Sequence, residues 1–532
     1  METELIKKEI ESGCCSLGIE LGSTRIKAIL IASDKTVIAS GAHDWENRNE
    51  NGIWTYTISD IKEGLAHCYQ TLKSDVKDKY GIKLTNLKAL GISAMMHGYM
   101  AFDKEFNLLT SFRTWRNTIT AKEAEELTSL FNYPIPQRWS ISHFLRELKN
   151  NESYLFNLDY ICTLSSYVHY LLTGEKVLGI GDASGMFPID VANKCYDEKD
   201  IELFDDTYLE GEYPYSLKDL LPRILLAGEK AGTLTKAGAL LLDKDGDLLP
   251  GVPLCPPEGD AGTGMVATNA VLPRSGNVSA GTSAFAMVVL EKPLSASYKE
   301  LDLVTTPDGY LVAMAHTNNC TGSYDAWFNL FKQVIEAMGV EVKKGQFYDT
   351  LLNLALTSDP DCGGLLSYNY IAGEPIVGLE EGKPLFVRDN HAKFNLANFI
   401  RSELYTAVAA MRVGLDILYE KEKVQIDVMN GHGGYFKTAK VGQEMMASAL
   451  KTPIKVLSTA GEGGAWGIAL LADYLSYSNK SLSSYLEDEV FVGSNSVTVT
   501  PTKENIEGFN KYYERYLKGL AIEKAANESF VC

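Results

Sequence analysis

Ile19-Glu20-Leu21-Gly22-Ser23-Thr24-Arg25-Ile26 and Val278-Ser279-Ala280-Gly281-Thr282-Ser283-Ala284-Phe285 can be laid one upon the other. Each reads as an apolar strand, a turn of glycine with two hydroxyl residues, and a second apolar strand, the pattern of a β-hairpin. The two stand roughly half a chain apart, so the sequence carries a weak internal repeat. Two similar domains, each offering one hydroxyl-bearing turn to a shared cleft, would produce it. Two unrelated hairpins would read the same way.

Outward from the first hairpin, residues 36–40 continue a meander. Residues 59–79 have helical spacing, with Ile61, Leu65, Cys68, Tyr69, Leu72 and Val76 on one face and Ser59 as N-cap. Residues 87–94 read as a buried strand, and this βββαβ order fits an α/β domain. After the second hairpin the outline repeats. Residues 310–316 read as a strand and 394–420 as a long helix. A further strand, 424–429, runs into Asn430-Gly431-His432-Gly433-Gly434, and a helix follows at 441–450. Residues 460–474 contain Gly463-Gly464-Ala465-Trp466-Gly467, a small-residue helix suited to close packing. The polar segment after about 478 is expected to be peripheral, and residues 1–13 form a short leader helix or a frayed end.

A chain of 532 residues exceeds one core, so two domains are expected. A formal charge of −19 with no basic patch argues against nucleic acid or an anionic membrane as partner. The nine cysteines form no CxxC pair, which reads as reduced thiols and a cytoplasmic location. No apolar run approaches the ~18 residues of a membrane span.

Four motifs carry chemistry. Gly22-Ser23-Thr24 and Gly281-Thr282-Ser283 let backbone approach a phosphate while N–H and hydroxyl groups donate to it, although either turn alone also serves as plain structure. Neither is a P-loop, and the nearest candidate, residues 378–383, has the wrong spacing. Glu258-Gly259-Asp260-Ala261-Gly262 places a carboxylate at a helix start, where it acts either as a general base or as an N-cap. Asn430-Gly431-His432-Gly433-Gly434 is a strand-to-helix turn that leaves room for a ring or a phosphate. Met95-Met96-His97-Gly98 sits at a strand's carboxyl end, where α/β ligands bind, or holds a core histidine beside packing methionines.

Together and in order, these segments resemble the FGGY carbohydrate kinases of the actin-like, ribonuclease-H-like ATPase superfamily, from about residue 15 to about residue 474. Trp115-Arg116-Asn117 resembles the family's Trp-x-Asp. Residues 167–174 and Asp182-Ala183-Ser184 resemble two further family segments, and Gly433-Gly434 with residues 462–469 resembles the adenosine region. The resemblance implies an α/β fold of two ribonuclease-H-like domains around a central cleft. Its N-terminal domain covers 14–272, its C-terminal nucleotide domain 273–490, and a peripheral segment 491–532.

It further implies ATP with Mg²⁺, a small-molecule sugar substrate, and a homodimer as an assembly common in such enzymes. Asp260 is then the general base, and Met96, His97, Trp115 and Asn117 contact the sugar. Gly22, Ser23, Thr24, Gly281, Thr282 and Ser283 hold phosphates, Gly433 and Gly434 flank the nucleoside, and Glu20 faces the metal. Met96-His97-Gly98 inclines the substrate towards a ketopentose, xylulose or ribulose, phosphorylated at its terminal hydroxyl. Two departures stand out: Glu20 and Asn117 each replace the family's Asp. Asn117 bears on sugar selectivity, and Glu20 keeps open a regulatory protein that binds sugar or ATP without kinase activity.

Overall fold

The structure is a computed structural model describing residues 2–209, 211–459, 461 and 463–530. Ala460, at the start of the expected helix 460–474, and Glu462, at the start of the segment 462–469 read with the adenosine region, lie outside the described residues. The chain forms two compact units. The first takes its described residues from Met1–Val271, Leu303–Leu311 and Glu462–Val492. The second takes them from Leu272–Asp302, Val312–Gly461 and Gly493–Cys532. The expected division therefore shifts in three places: 303–311 and 463–490 join the first unit, and 493–530 joins the second instead of lying at the periphery.

In the first unit, β1 (Ser16–Leu21), β2 (Arg25–Ile31) and β3 (Val37–Asp44) form the antiparallel meander. β4 (Ala89–Ala94) runs parallel to β1, and β5 (Glu258–Gly259) runs parallel to β4, giving the order β5-β4-β1-β2-β3. The helix Ile58–Tyr80 follows the expected spacing but is capped two residues earlier than read. Thr57, not Ser59, is the N-cap, in a reciprocal capping box with Asp60.

The helix Gly463–Tyr474 belongs to this sheet because backbone can reach backbone. A Cβ at Gly18 of β1 would fall 2.2 Å from the Ala465 carbonyl oxygen, and one at Gly467 would fall 2.0 Å from that of Thr263. Ile468, Leu470 and Leu471 are buried there, each contributing about 1.5–3 kcal/mol. Buried Asp473 closes the far end with Lys35 at 2.8 Å, Lys88 at 2.7 Å and the Tyr485 hydroxyl at 2.8 Å. Removing one partner from such a network leaves an uncompensated buried charge.

In the second unit, β6 (Ser275–Ala280) pairs antiparallel with β7 (Ala284–Val289), and β7 with β8 (Leu311–Thr317). β9 (Val428–His432) lies parallel to β6, β10 (Ile454–Leu457) parallel to β9, and β11 (Ser496–Val499) antiparallel to β10. The order β8-β7-β6-β9-β10 thus repeats β3-β2-β1-β4-β5. The segment expected to be peripheral ends in a helix, Lys503–Ser529, whose Phe509, Tyr512 and Tyr516 are fully buried. The Tyr512 hydroxyl donates to the Ser367 and Ser402 carbonyls at 3.2 and 3.3 Å. Its apolar stripe is aromatic and narrow, so the average composition hides it.

No helix among the described residues is long and apolar enough to cross a membrane.

Candidate active site

The first glycine turn is held by aromatic side chains from three segments. The Trp45 indole N–H donates to the Gly22 carbonyl at 2.7 Å, the Tyr56 hydroxyl to the Ser23 carbonyl at 2.5 Å, and the Trp115 indole to Ser23 Oγ at 3.0 Å. Trp45 and Tyr56 stack with centroids 4.1 Å apart. Because Ser23 Oγ accepts from Trp115, its own proton is left to donate elsewhere, and a phosphate oxygen suits it.

Four acids gather near this turn within the first unit. Asp260 opens the helix Asp260–Ala267, but Gly259 occupies the cap position, so the Asp260 carboxyl does not cap its own helix. Instead Oδ1 accepts the Met96 backbone N–H at 3.3 Å. Solvent reaches Asp260, yet the protein around it desolvates the carboxyl and raises its pKa, against the pull of the Met96 and Ala261 N–H groups. Direct exposure is the better guide to whether a substrate can touch it. Desolvation, then the Asp260 charge, pushes Glu20 up to about 7, while Lys27 and the Ala465 N–H act in the opposite direction.

Glu258 is fully buried and accepts from the Asp182 N–H at 3.0 Å. Asp182 Oδ2 accepts from Thr163 at 2.7 Å and Ser165 at 2.5 Å, while its buried Oδ1 has no partner among the described residues. Desolvation raises Asp182 to about 7. Mg²⁺ takes one or two carboxylates and completes its octahedron with phosphates and water. Glu20 and Asp260, close enough for one charge to raise the other's pKa, fit that demand. Among the described residues no group of three ligating side chains forms a dedicated metal cage.

Met96 lies on Gly259, where a Cβ would meet Met96 Cγ at 2.1 Å. His97 takes a left-handed backbone, φ 69°, uncommon for a non-glycine residue and worth a functional reading. Its Nδ1 lies 3.1 Å from the Gly185 carbonyl, which makes Nδ1 the protonated nitrogen, and its ring stacks on Trp139. Trp115 is 40 % exposed beside the turn. Asn117 departs from expectation. It is buried, and its amide is spent on the Trp54 N–H at 2.9 Å and the Trp54 and Thr114 carbonyls at 2.8 and 2.9 Å. The buried amide ties the strand Ile53–Thr55 to Thr114, with both its hydrogens already donated. Trp45, Tyr56 and Thr263 escaped sequence reasoning because their roles depend on distant partners, and Asp182 stands out there only as part of a family-like segment.

In the second unit the structure brings Gly281-Thr282-Ser283 next to Gly433-Gly434. β9 pairs with β6 so that Ser279 faces His432, and Gly433, at φ 100°, packs where a Cβ would lie 2.4 Å from the Ala280 carbonyl oxygen. Only glycine fits there. Thr282 and Ser283 are exposed, and a Cβ at Gly281 or Gly434 would meet nothing within 4 Å. Open backbone at two adjoining turns is what a phosphate or a flat ring requires. A separate hollow of about 350 Å³ in this unit, lined by Asn318, Gly373, Pro375, Gly378, Leu379 and Glu380, carries none of the expected site residues.

Two hairpin-bearing sheets of one strand order, with an acid set beside the first turn, define an actin-like phosphotransferase class. Residues 15–260 match the N-terminal domain and residues 276–476 the C-terminal domain of the FGGY family of carbohydrate kinases, and the chain belongs to that family. Among its relatives is a xylulose kinase of Haemophilus influenzae, 24% identical over 518 residues, covering 95% of this chain and 99% of the relative. Among solved structures, a ligand-bound xylulose kinase from Lactobacillus acidophilus matches with a TM-score of 0.76 at 17% identity, covering 97% of this chain and 99% of that one. A gluconate kinase from the same organism matches with a TM-score of 0.76 at 17% identity, covering 97% and 98%. The fold is therefore the family's, and it is shared by enzymes named for different sugars.

Proposed function

We propose that this protein transfers the γ-phosphoryl group of ATP to the terminal hydroxyl of a ketopentose, xylulose or ribulose, in the cytoplasm, with Asp260 as general base. The observation that carries the reading is the Asp260 carboxyl: exposed to solvent, oriented by the Met96 N–H, and set beside Glu20 of the first hairpin. Full-length relatives named xylulose kinase support the choice of sugar.

The sugar lies against Met96, His97 and the open indole of Trp115. Asp260 accepts the hydroxyl proton as the new O–P bond forms and the bond to the departing ADP oxygen breaks. The Gly22-Ser23-Thr24 turn donates to the transferring phosphoryl group. Gly281, Thr282 and Ser283 donate to the nucleotide's phosphates, and Gly433 and Gly434 leave room for the nucleoside. Asp260 and Glu20 would hold Mg²⁺, which when bound neutralises phosphate charge. Asn117 is left to structure.

ADP release measured against xylulose, ribulose, fructose, gluconate and glycerol tests this. A ketopentose should exceed glycerol at least tenfold in kcat/KM. Gluconate leading the panel would replace the sugar assignment, and calorimetric sugar binding without phosphorylated product would replace the enzyme with a binding protein.

A further inference from the structure

Glu20 stands where the resemblance implies an Asp, and the structure shows what the extra methylene reaches. The Glu20 carboxylate extends from β1 to the first turn of the helix Gly463–Tyr474. There the Ala465 backbone N–H favours its charged form. A Cβ built on Gly464 would lie 2.2 Å from Glu20 Oε1, 2.9 Å from its Cδ and 2.8 Å from Thr263 Oγ1. The carboxylate thus fills the space a side chain at 464 would need. The first N–H groups of a helix lack partners within it, and an anion suits them. An aspartate would stop about 1.5 Å short.

We propose that Glu20 and Gly464 are a matched pair, and that Glu20 is a positioning residue that seats the first turn of the helix Gly463–Tyr474 against the phosphate hairpin and the Asp260 helix. The connection continues through Thr263. Its Oγ1 bonds Ser93 Oγ of β4 at 3.1 Å and donates to the Asp260 carbonyl at 3.2 Å, and its own carbonyl oxygen packs on Gly467. Displacing the helix therefore disturbs the segment that aims Asp260, and the longer acid and the missing side chain at 464 compensate each other.

A double-variant cycle on the whole chain tests the pairing. Thermal unfolding without nucleotide or metal is measured for wild type, Glu20→Asp, Gly464→Ala and the double variant. Gly464→Ala alone should lower Tm by about 3–6 °C, since it overpacks an occupied site. In the Glu20→Asp background the same change should cost less than half as much, because the shorter acid vacates the space. Equal costs in both backgrounds would overturn the pairing.

Hydrogen exchange keeps the idea exposed if Gly464→Ala does not fold. The Ala465 amide should exchange at least tenfold faster in Glu20→Ala and at the wild-type rate in Glu20→Gln, which keeps an acceptor at the same reach. An unchanged rate in Glu20→Ala would remove Glu20 from the helix. Turnover adds a readout that rests on the proposed kinase reaction: kcat should fall in Gly464→Ala and recover in the double variant. If Tm shows rescue while no variant makes ADP, the kinase reading fails and the pairing stands.

Discussion

In the first unit Leu21 pairs with Ile26, and the Gly22 N–H bonds the Arg25 carbonyl at 3.0 Å, leaving Ser23-Thr24 at the tip. In the second, Ala280 pairs with Ala284, and the Gly281 N–H bonds the Ser283 carbonyl at 2.9 Å, so the turn is one residue shorter. The face that Ile26 covers is therefore covered by Ala284, not by Phe285 as the sequence overlay had it, and Phe285 takes the place of Lys27. A one-residue slip exchanges faces in this way. Across from Glu20 stands Lys27, and across from Ser279 stands Phe285. The first turn is charged and braced by Trp45, Tyr56 and Trp115. The second is neutral and held by backbone, with the Cys320 N–H on the Thr282 carbonyl at 2.9 Å and the Thr321 N–H on Gly281 at 3.0 Å. One strand order thus carries two turns that differ in length, in charge and in what holds them.

The largest effect should come from removing the Asp260 carboxyl of the first unit. Asp260→Asn should lower kcat by about 10²–10⁴-fold, the usual contribution of a general base, with thermal stability held or improved. A raised carboxyl must lose its proton before it can accept one. Activity should therefore fall on the acid side at a pH above the ordinary carboxylate range, and that limb should vanish in the variant. Turnover like wild type in Asp260→Asn would erase the division between the units.

Much of this was legible in the chain. The hairpin turns and the helix Val441–Leu450 announce themselves through local pattern and glycine, whereas the strand expected at 424–429 forms at Val428–His432, taking in part of the segment read as a turn. What escaped depends on partners far along the chain. Asn117 is expected to meet the sugar because Trp115-Arg116-Asn117 resembles the family's Trp-x-Asp, but Trp54 and Thr114 take up its amide hydrogens. The helix Gly463–Tyr474 follows the second hairpin in sequence and packs on the first unit's β1, because small residues at 18, 464 and 467 allow it. Pattern within one segment reports local conformation; it cannot report which other segment supplies the hydrogen bond.

The same substitution in both turns sharpens the contrast. Gly281→Ala adds a methyl that meets nothing within 4 Å. The fold should be untouched, and the KM for ATP should rise about tenfold if the methyl stands where the proposed phosphate approaches. Gly22→Ala places its methyl 3.1 Å from the Arg25 carbonyl oxygen, so it should lower Tm by a few degrees as well. Equal Tm losses in the two variants would contradict the difference in how the turns are held.

The smallest effect concerns the aromatic brace. Trp115→Phe keeps a ring for the sugar and deletes the indole donor to Ser23 Oγ at 3.0 Å. A neutral hydrogen bond contributes about 0.5–1.5 kcal/mol net, so the loss should be about 2–10-fold. If the brace orients the Ser23 hydroxyl towards a phosphoryl group, that loss belongs in kcat, with sugar KM nearly unchanged because the ring survives. If Trp115 serves the sugar alone, Trp115→Phe leaves kcat intact while Trp115→Ala raises sugar KM. Steady-state kinetics on the two variants separates these, because no residue of the second turn offers an indole whose removal could produce the same split.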